Sequence, residues 1–110
     1  MDFSTYGEQA IKTAIYPSKG SGSLVYPALG LCGEAGEIAE KVKKIIRDAD
    51  GVISSITRDD LIKELGDVLW YLNALAFELD VSLDVIAETN LAKLQSRQAR
   101  GMLQGSGDDR

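Results

Sequence analysis

Glu34-Ala35-Gly36-Glu37-Ile38-Ala39 is echoed thirty positions later by Glu64-Leu65-Gly66-Asp67-Val68-Leu69. Each copy reads acid, apolar, glycine, acid, β-branched, apolar. Acids three residues apart share one face of a helix, so each copy offers a carboxylate pair. A lone pair of this kind is usually a solvated face, and Lys41, four residues after Glu37, would complete an ordinary surface ion pair with it. Two pairs brought together repel unless something positive sits between them. All-oxygen donors suit a hard divalent cation, Mg²⁺ or Mn²⁺, with positions left for water and phosphate oxygens.

Helices must position these acids, and glycine-containing breaks separate four helical patterns with no alternating strand. The first is expected from Asp2 to Ile15, with Ala10, Ile11, Ala14 and Ile15 as its apolar face and Pro17 as its stop. Residues 18–23 read as a flexible Ser/Gly loop that either closes over a ligand or merely connects. The second helix runs from Leu24 to Ala49 and is stopped by Asp50-Gly51; Leu24, Ala28, Leu31, Ala35, Ile38, Val42, Ile45 and Ala49 form its heptad stripe. Thr57 is the expected N-cap of the third, whose stripe is Leu61, Leu65, Val68, Leu72, Leu75 and Leu79. Ser82 caps a fourth helix that runs to about Arg100. The fold class is therefore an all-α antiparallel bundle of about four helices, with residues 1–100 as one domain and 101–110 as a glycine-rich C-terminal tail. Surplus apolar faces (Cys32, Ala39, Ile46; Ile62, Leu69, Ala76) predict completion by a second copy of the chain. Trp70 lies almost opposite its stripe, which predicts packing against the first helix or a partner.

At about 100° per residue, Glu34 and Glu37 fall roughly 40° and 100° to one side of Ile38, and Glu64 and Asp67 fall likewise beside Val68. An antiparallel pair packed stripe to stripe brings equivalent flanks out on one side, so all four carboxylates are expected around one spot at the margin of the core. Gly30, Gly33, Gly36 and Gly66 lie inside these helices, each at a cost of about 1 kcal/mol relative to alanine. Close approach of a helix or a ligand is the expected reason. On the fourth helix, Asn90, Lys93 and Arg97 share a face able to hold phosphates and a sugar or base, or, for the two cations, simply to complement the helix C-terminus. Tyr71, four residues after Asp67, is placed to stack on a nucleoside or to pack.

Composition narrows the chemistry. A net charge of −5 argues against a binder of polymeric nucleic acid but leaves nucleotides open if a metal supplies the positive charge. The chain has no histidine, which removes imidazole zinc sites and His-based acid/base catalysis. No apolar run approaches the ~18 residues of a membrane span. The single Cys32 reads as a small core residue, and with no secretory pattern the expected compartment is the cytoplasm.

Gly30-Leu31-Cys32-Gly33-Glu34-Ala35-Gly36-Glu37 with Glu40-Lys41-Val42-Lys43-Lys44 resembles the first signature of the MazG-like all-α nucleotide pyrophosphohydrolases, and Glu64 to Leu72 resembles the second. Asn90-x-x-Lys93-Leu94-x-x-Arg97 is similar to the family's substrate-side helix. The likeness spans about Thr13 to Arg97 and extends to the Gly105–Arg110 tail. Each motif alone is weakly specific; their ordered set is not. The resemblance implies hydrolysis of a nucleoside triphosphate to monophosphate and pyrophosphate, with water attacking the α-phosphorus. It implies Glu34, Glu37, Glu64 and Asp67 as ligands of Mg²⁺, with Mn²⁺ as substitute, or Glu37 instead as the base that orients the water. Lys41, Tyr71, Asn90, Lys93 and Arg97 would contact substrate, and the assembly would be a homodimer or homotetramer. Many members carry a second glutamate just before the first motif acid; here Gly33 stands in that place. Two rival readings are a non-catalytic helical dimerisation module and a metal-dependent nucleotide sensor.

Overall fold

Each expected break in the chain ends or begins a helix, though not always at the expected residue. The computed structural model describes residues 1–110, which form four α-helices and no strand. Helix α1 is Phe3–Ile11, capped by Asp2, whose carboxylate accepts the Thr5 N–H at 2.7 Å. It ends four residues short of Ile15. Beyond it the Thr13 hydroxyl donates to the Ala10 carbonyl at 2.7 Å and accepts the Trp70 indole N–H at 2.8 Å. This turn lets Ala14 and Tyr16 enter the core, where they pack with Ala74, Ile11 and Trp70, while Ile15 stays in solvent. Tertiary burial, rather than Pro17, stops the helix.

Helix α2 is Val25–Ala49 and ends as expected at Asp50 and Gly51, both left-handed, with the Asp50 N–H on the Ile45 carbonyl. Helix α3 is Ser55–Glu78. Its N-cap is Ser54, three residues before Thr57. The Ser54 hydroxyl oxygen accepts the Thr57 N–H at 3.1 Å, which leaves Thr57 inside the first turn. Helix α4, Leu83–Ala99, starts at the expected cap, Ser82, which accepts the Val85 N–H at 3.2 Å.

Helices α2 and α3 are antiparallel: Gly30 meets Tyr71, Glu34 meets Glu64 and Asp67, and Lys41 meets Glu64. The seam between them is rotated from the expected stripes. Covered positions Pro27, Leu31, Glu34, Ile38, Lys41 and Ile45 recur along α2, with Ala28 and Gly30 beside them, and Thr57, Leu61, Glu64, Val68, Tyr71 and Leu75 recur along α3. Both runs keep heptad spacing, but only Leu31, Ile38, Ile45, Leu61, Val68 and Leu75 belong to the purely apolar stripes. The seam thus takes one apolar rung and the polar rung beside it. The other apolar rung, Val42, Leu65, Leu72 and Leu79, is left exposed, as are Ile46 and Ile62. Cys32 is exposed rather than buried, and Ala76 is buried within the chain.

The resulting chain is open. Its radius of gyration is 16.8 Å, against about 13 Å for a compact domain of this length. It exposes 7725 Å², against about 6,000 Å² for a folded monomer of this mass. Helix α3 is the hub: it touches α1, α2 and α4, whereas α2 makes no contact with α1 or α4. No helix is long and apolar enough to cross a membrane.

Candidate functional site

Glu34 from α2 and Glu64 and Asp67 from α3 place one carboxylate oxygen each within 4.8 Å of one another. Helical phase and the antiparallel seam put them there. They sit at the margin of the seam, Glu34 and Glu64 partly covered and Asp67 exposed. Glu37, expected as the fourth member, stands outside this group and is exposed. Its charge still acts on Glu34: burial first, then Asp67, Glu64 and Glu37, push the Glu34 carboxyl above its ordinary range.

Lys41 does not pair with Glu37. It reaches across the seam, Nζ 3.6 Å from Glu64 Oε1, and brings an ammonium to the acidic cluster. Tyr71, also on the seam, lies over Gly30, where an added Cβ would collide with the phenol ring. Burial, then Tyr26, Glu34 and Asp67, raise the Tyr71 phenol above its usual value. Gly30 is therefore retained for close approach. Gly33, Gly36 and Gly66 have nothing within 4 Å of an added Cβ, so close approach inside the chain does not account for them.

The donor set fits a hard divalent cation: three carboxylates, no imidazole, and mutual repulsion that a positive charge relieves. Tyr6 of α1, unremarked in the sequence, also lies in the field of Asp67, and burial followed by that charge pushes its phenol up. A cleft of about 430 Å³ opens beside it, lined by Met1, Asp2, Phe3, Tyr6, Leu69 and Asp84.

The expected substrate helix does not touch α2, which carries Glu34. Asn90 and Lys93 are exposed on α4, in a shallow depression lined by α4 residues alone, and α4 does not touch α2. Arg97 is buried, at 5% exposure. Lys93 and Arg97 converge instead on Asp108 of the tail, which is folded back on α4.

A second polar centre is built on Glu78, at the end of α3. Its carboxylate accepts the Tyr16 hydroxyl at 2.9 Å and the backbone N–H groups of Gly20 and Gly22 at 2.9 and 3.1 Å. Residues 18–22, expected to be flexible, are thus closed around a buried carboxylate, with Ser18, Gly20 and Gly22 in left-handed conformations. The one sequence signal was Glu78 itself, the sole charged residue between Asp67 and Asp80.

The model of the MazG nucleotide pyrophosphohydrolase domain matches residues 27–102. The chain is also 55% identical over 114 aligned residues to the Gene 37 protein of Mycobacterium phage L5, with all of both chains covered. No solved structure matches it.

Proposed function

This chain belongs to the MazG nucleotide pyrophosphohydrolase family, and from that premise we propose that it is a Mg²⁺-dependent enzyme cleaving nucleoside triphosphates, ribo or deoxy, to monophosphate and pyrophosphate. The observation that carries the reading is the convergence of Glu34, Glu64 and Asp67 from two helices within 4.8 Å. These three would hold the ion. Bound there, Mg²⁺ or Mn²⁺ would supply Lewis acidity toward phosphate oxygens and toward the attacking water. Glu37, exposed and beside Glu34, is suited to take the proton of that water, either as base or as a further ligand. Water attacks the α-phosphorus, the bond to the bridging oxygen of the β-phosphate breaks, and its electron pair leaves on pyrophosphate.

Lys41, Lys93 and Arg97 offset charge on the phosphates, and Asn90 and Tyr71 orient the nucleoside. The apolar cleft beside Tyr6 offers a wall for a base. Because α2 and α4 do not touch, a second copy of the chain is the source of the α4 face that meets Glu34. The exposed rung Val42, Leu65, Leu72 and Leu79 supports that copy's docking as a homodimer, or twice over as a homotetramer. The negative net charge fits a free nucleotide rather than a polymer as substrate, and a single cysteine fits the cytoplasm as compartment.

A panel of normal and modified nucleotides with pyrophosphate detection, in Mg²⁺ and in Mn²⁺, tests the reading. Release from at least one nucleotide is expected, reduced on the order of 10²-fold or more in Glu34→Gln and Asp67→Asn. Release from none overturns the enzyme. Nucleotide binding without turnover would identify a sensor. A melting temperature indifferent to Mg²⁺ would identify a dimerisation module, since a cation bound only to the folded state stabilises it by mass action.

A further inference from the structure

Residues 101–110 are tied to α4 through two contacts of opposite character. Asp108 Oδ1 lies 3.4 Å from Lys93 Nζ and 3.5 Å from Arg97 Nη2, and the Asp108 carbonyl accepts from the same Nη2 at 2.6 Å. Asp108 is itself 86% exposed, so its carboxylate comes down from solvent onto the cation pair. The tail's own shape is set by Arg110, whose guanidinium donates to the carbonyls of Met102, Gly107 and Leu103 at 3.1, 2.7 and 2.9 Å. Arg100 donates to the Arg110 carbonyl at 2.9 Å, and Gly101, Gly105 and Gly107 hold the positive φ that turns the chain back.

A carboxylate oxygen shared by an ammonium and a guanidinium occupies the place a phosphate oxygen would take. It does so incompletely. Arg97 is buried, yet its Nε has no hydrogen-bond partner. A phosphate has acceptors enough for Nε, Nη2 and Lys93 together, whereas the Asp108 side chain and carbonyl leave Nε orphaned. The contact is also exposed on its acidic side, where water and salt weaken it.

We propose that Asp108 is an internal competitor for phosphate: in the nucleotide-free protein the tail seats its carboxylate on Lys93 and Arg97, and an arriving polyphosphate displaces it. This inference rests on the reading of Lys93 and Arg97 as phosphate contacts. The tail is then a strap that shields the cation pair from weak anions and yields to a ligand able to satisfy Arg97 fully.

The test is calorimetric titration of inorganic tripolyphosphate, without divalent cation, into the full chain and three variants. Asp108→Asn removes the competing charge and Arg110→Ala loosens the strap; each is expected to bind about two- to fivefold tighter than wild type, the range set by an exposed ion pair. Lys93→Met is expected to bind more weakly. On saturation the amide resonances of Gly105 and Gly107 should move toward positions of unstructured chain. If Lys93→Met weakens binding while Asp108→Asn leaves it unchanged or weaker, the competitor is overturned and the phosphate reading survives. If Lys93→Met has no effect, or no variant binds, the phosphate reading falls and the competitor with it.

Discussion

Lys41 and Glu64 face each other across the α2–α3 seam, Nζ to Oε1 at 3.6 Å, although Glu37 stands one turn back on Lys41's own helix. The ammonium is thus drawn to the cluster of Glu34, Glu64 and Asp67 rather than to the acid one turn back on its own helix. It does part of what a bound cation would do.

Replacing Lys41 by methionine keeps the stem and removes the charge. Without cation, this variant should melt lower than wild type, because three acids lose their counter-charge. Mn²⁺ should bind it about two- to fivefold tighter, the range of a partly exposed pair. Titration calorimetry measures both affinities; equal values would show that the ammonium and the ion do not share Glu64.

The four glycines inside α2 and α3 should separate into two classes on substitution. Gly36→Ala and Gly66→Ala meet open space and should stabilise the chain by up to about 1 kcal/mol each. Gly30→Ala drives a methyl into the Tyr71 ring and should destabilise by about 1–3 kcal/mol, as overpacking does. Urea unfolding resolves the two signs.

Glu78 carries an acid-dependent share of stability. The Gly20 N–H above all, then the Tyr16 hydroxyl and the Gly22 N–H, hold its carboxyl below the ordinary 4.5, against the opposing effect of burial. A depressed carboxyl contributes stability above its unfolded value, and that contribution disappears as pH falls through the folded one. Trp70, edge-on to Tyr16 at 6.2 Å, is a fluorescent reporter of the centre. Wild type should show an acid transition in Trp70 emission below pH 4.5 that Glu78→Gln lacks, and Glu78→Gln should be less stable at neutral pH. The partner group bounds the alkaline side: burial, then Glu78, push the Tyr16 phenol from 10.0 up to about 12, so its contribution is full below the lower value and is lost as pH rises to the upper one.

The exposed rung should respond to charge. Leu65 is 57% exposed and Leu72 37% exposed, and the surface beyond that of a compact monomer is on the order of 1,700 Å², about twice the ~800 Å² that each partner buries in a standard interface. Wild type should sediment as a dimer or tetramer, and Leu65→Lys with Leu72→Lys as a monomer. A monomeric wild type would contradict this use of the rung.

Much of this molecule is legible in its sequence because helix signals are local. Ser82, Asp50 and Gly51 mark the ends of helices as the structure has them, and the echo at Glu34 and Glu64 survives as three converging carboxylates. What failed depended on packing. A heptad stripe has two edges, and periodicity alone does not say which one the partner helix covers; on the covered polar rung Lys41 pairs with Glu64 and Tyr71 packs over Gly30. The end of α1 was misplaced because Ala14 and Tyr16 gain more in the core than in another helical turn. Thr57 lost the cap to Ser54, an equally good capping residue one turn earlier. Glu78 and Asp108 act through partners 58 and 15 residues away, separations at which no local pattern operates.

The Glu78 centre also fixes a length. Gly20 and Gly22 bring alternate N–H groups to one carboxylate, so the segment between them has no slack. A residue added there would lift one donor off and strand a buried charge; the same residue added after Ser23, outside the closed ring, would pass into the connection to α2. A stretch whose composition suggests freedom to vary is, over three positions, among the least tolerant of insertion in the chain.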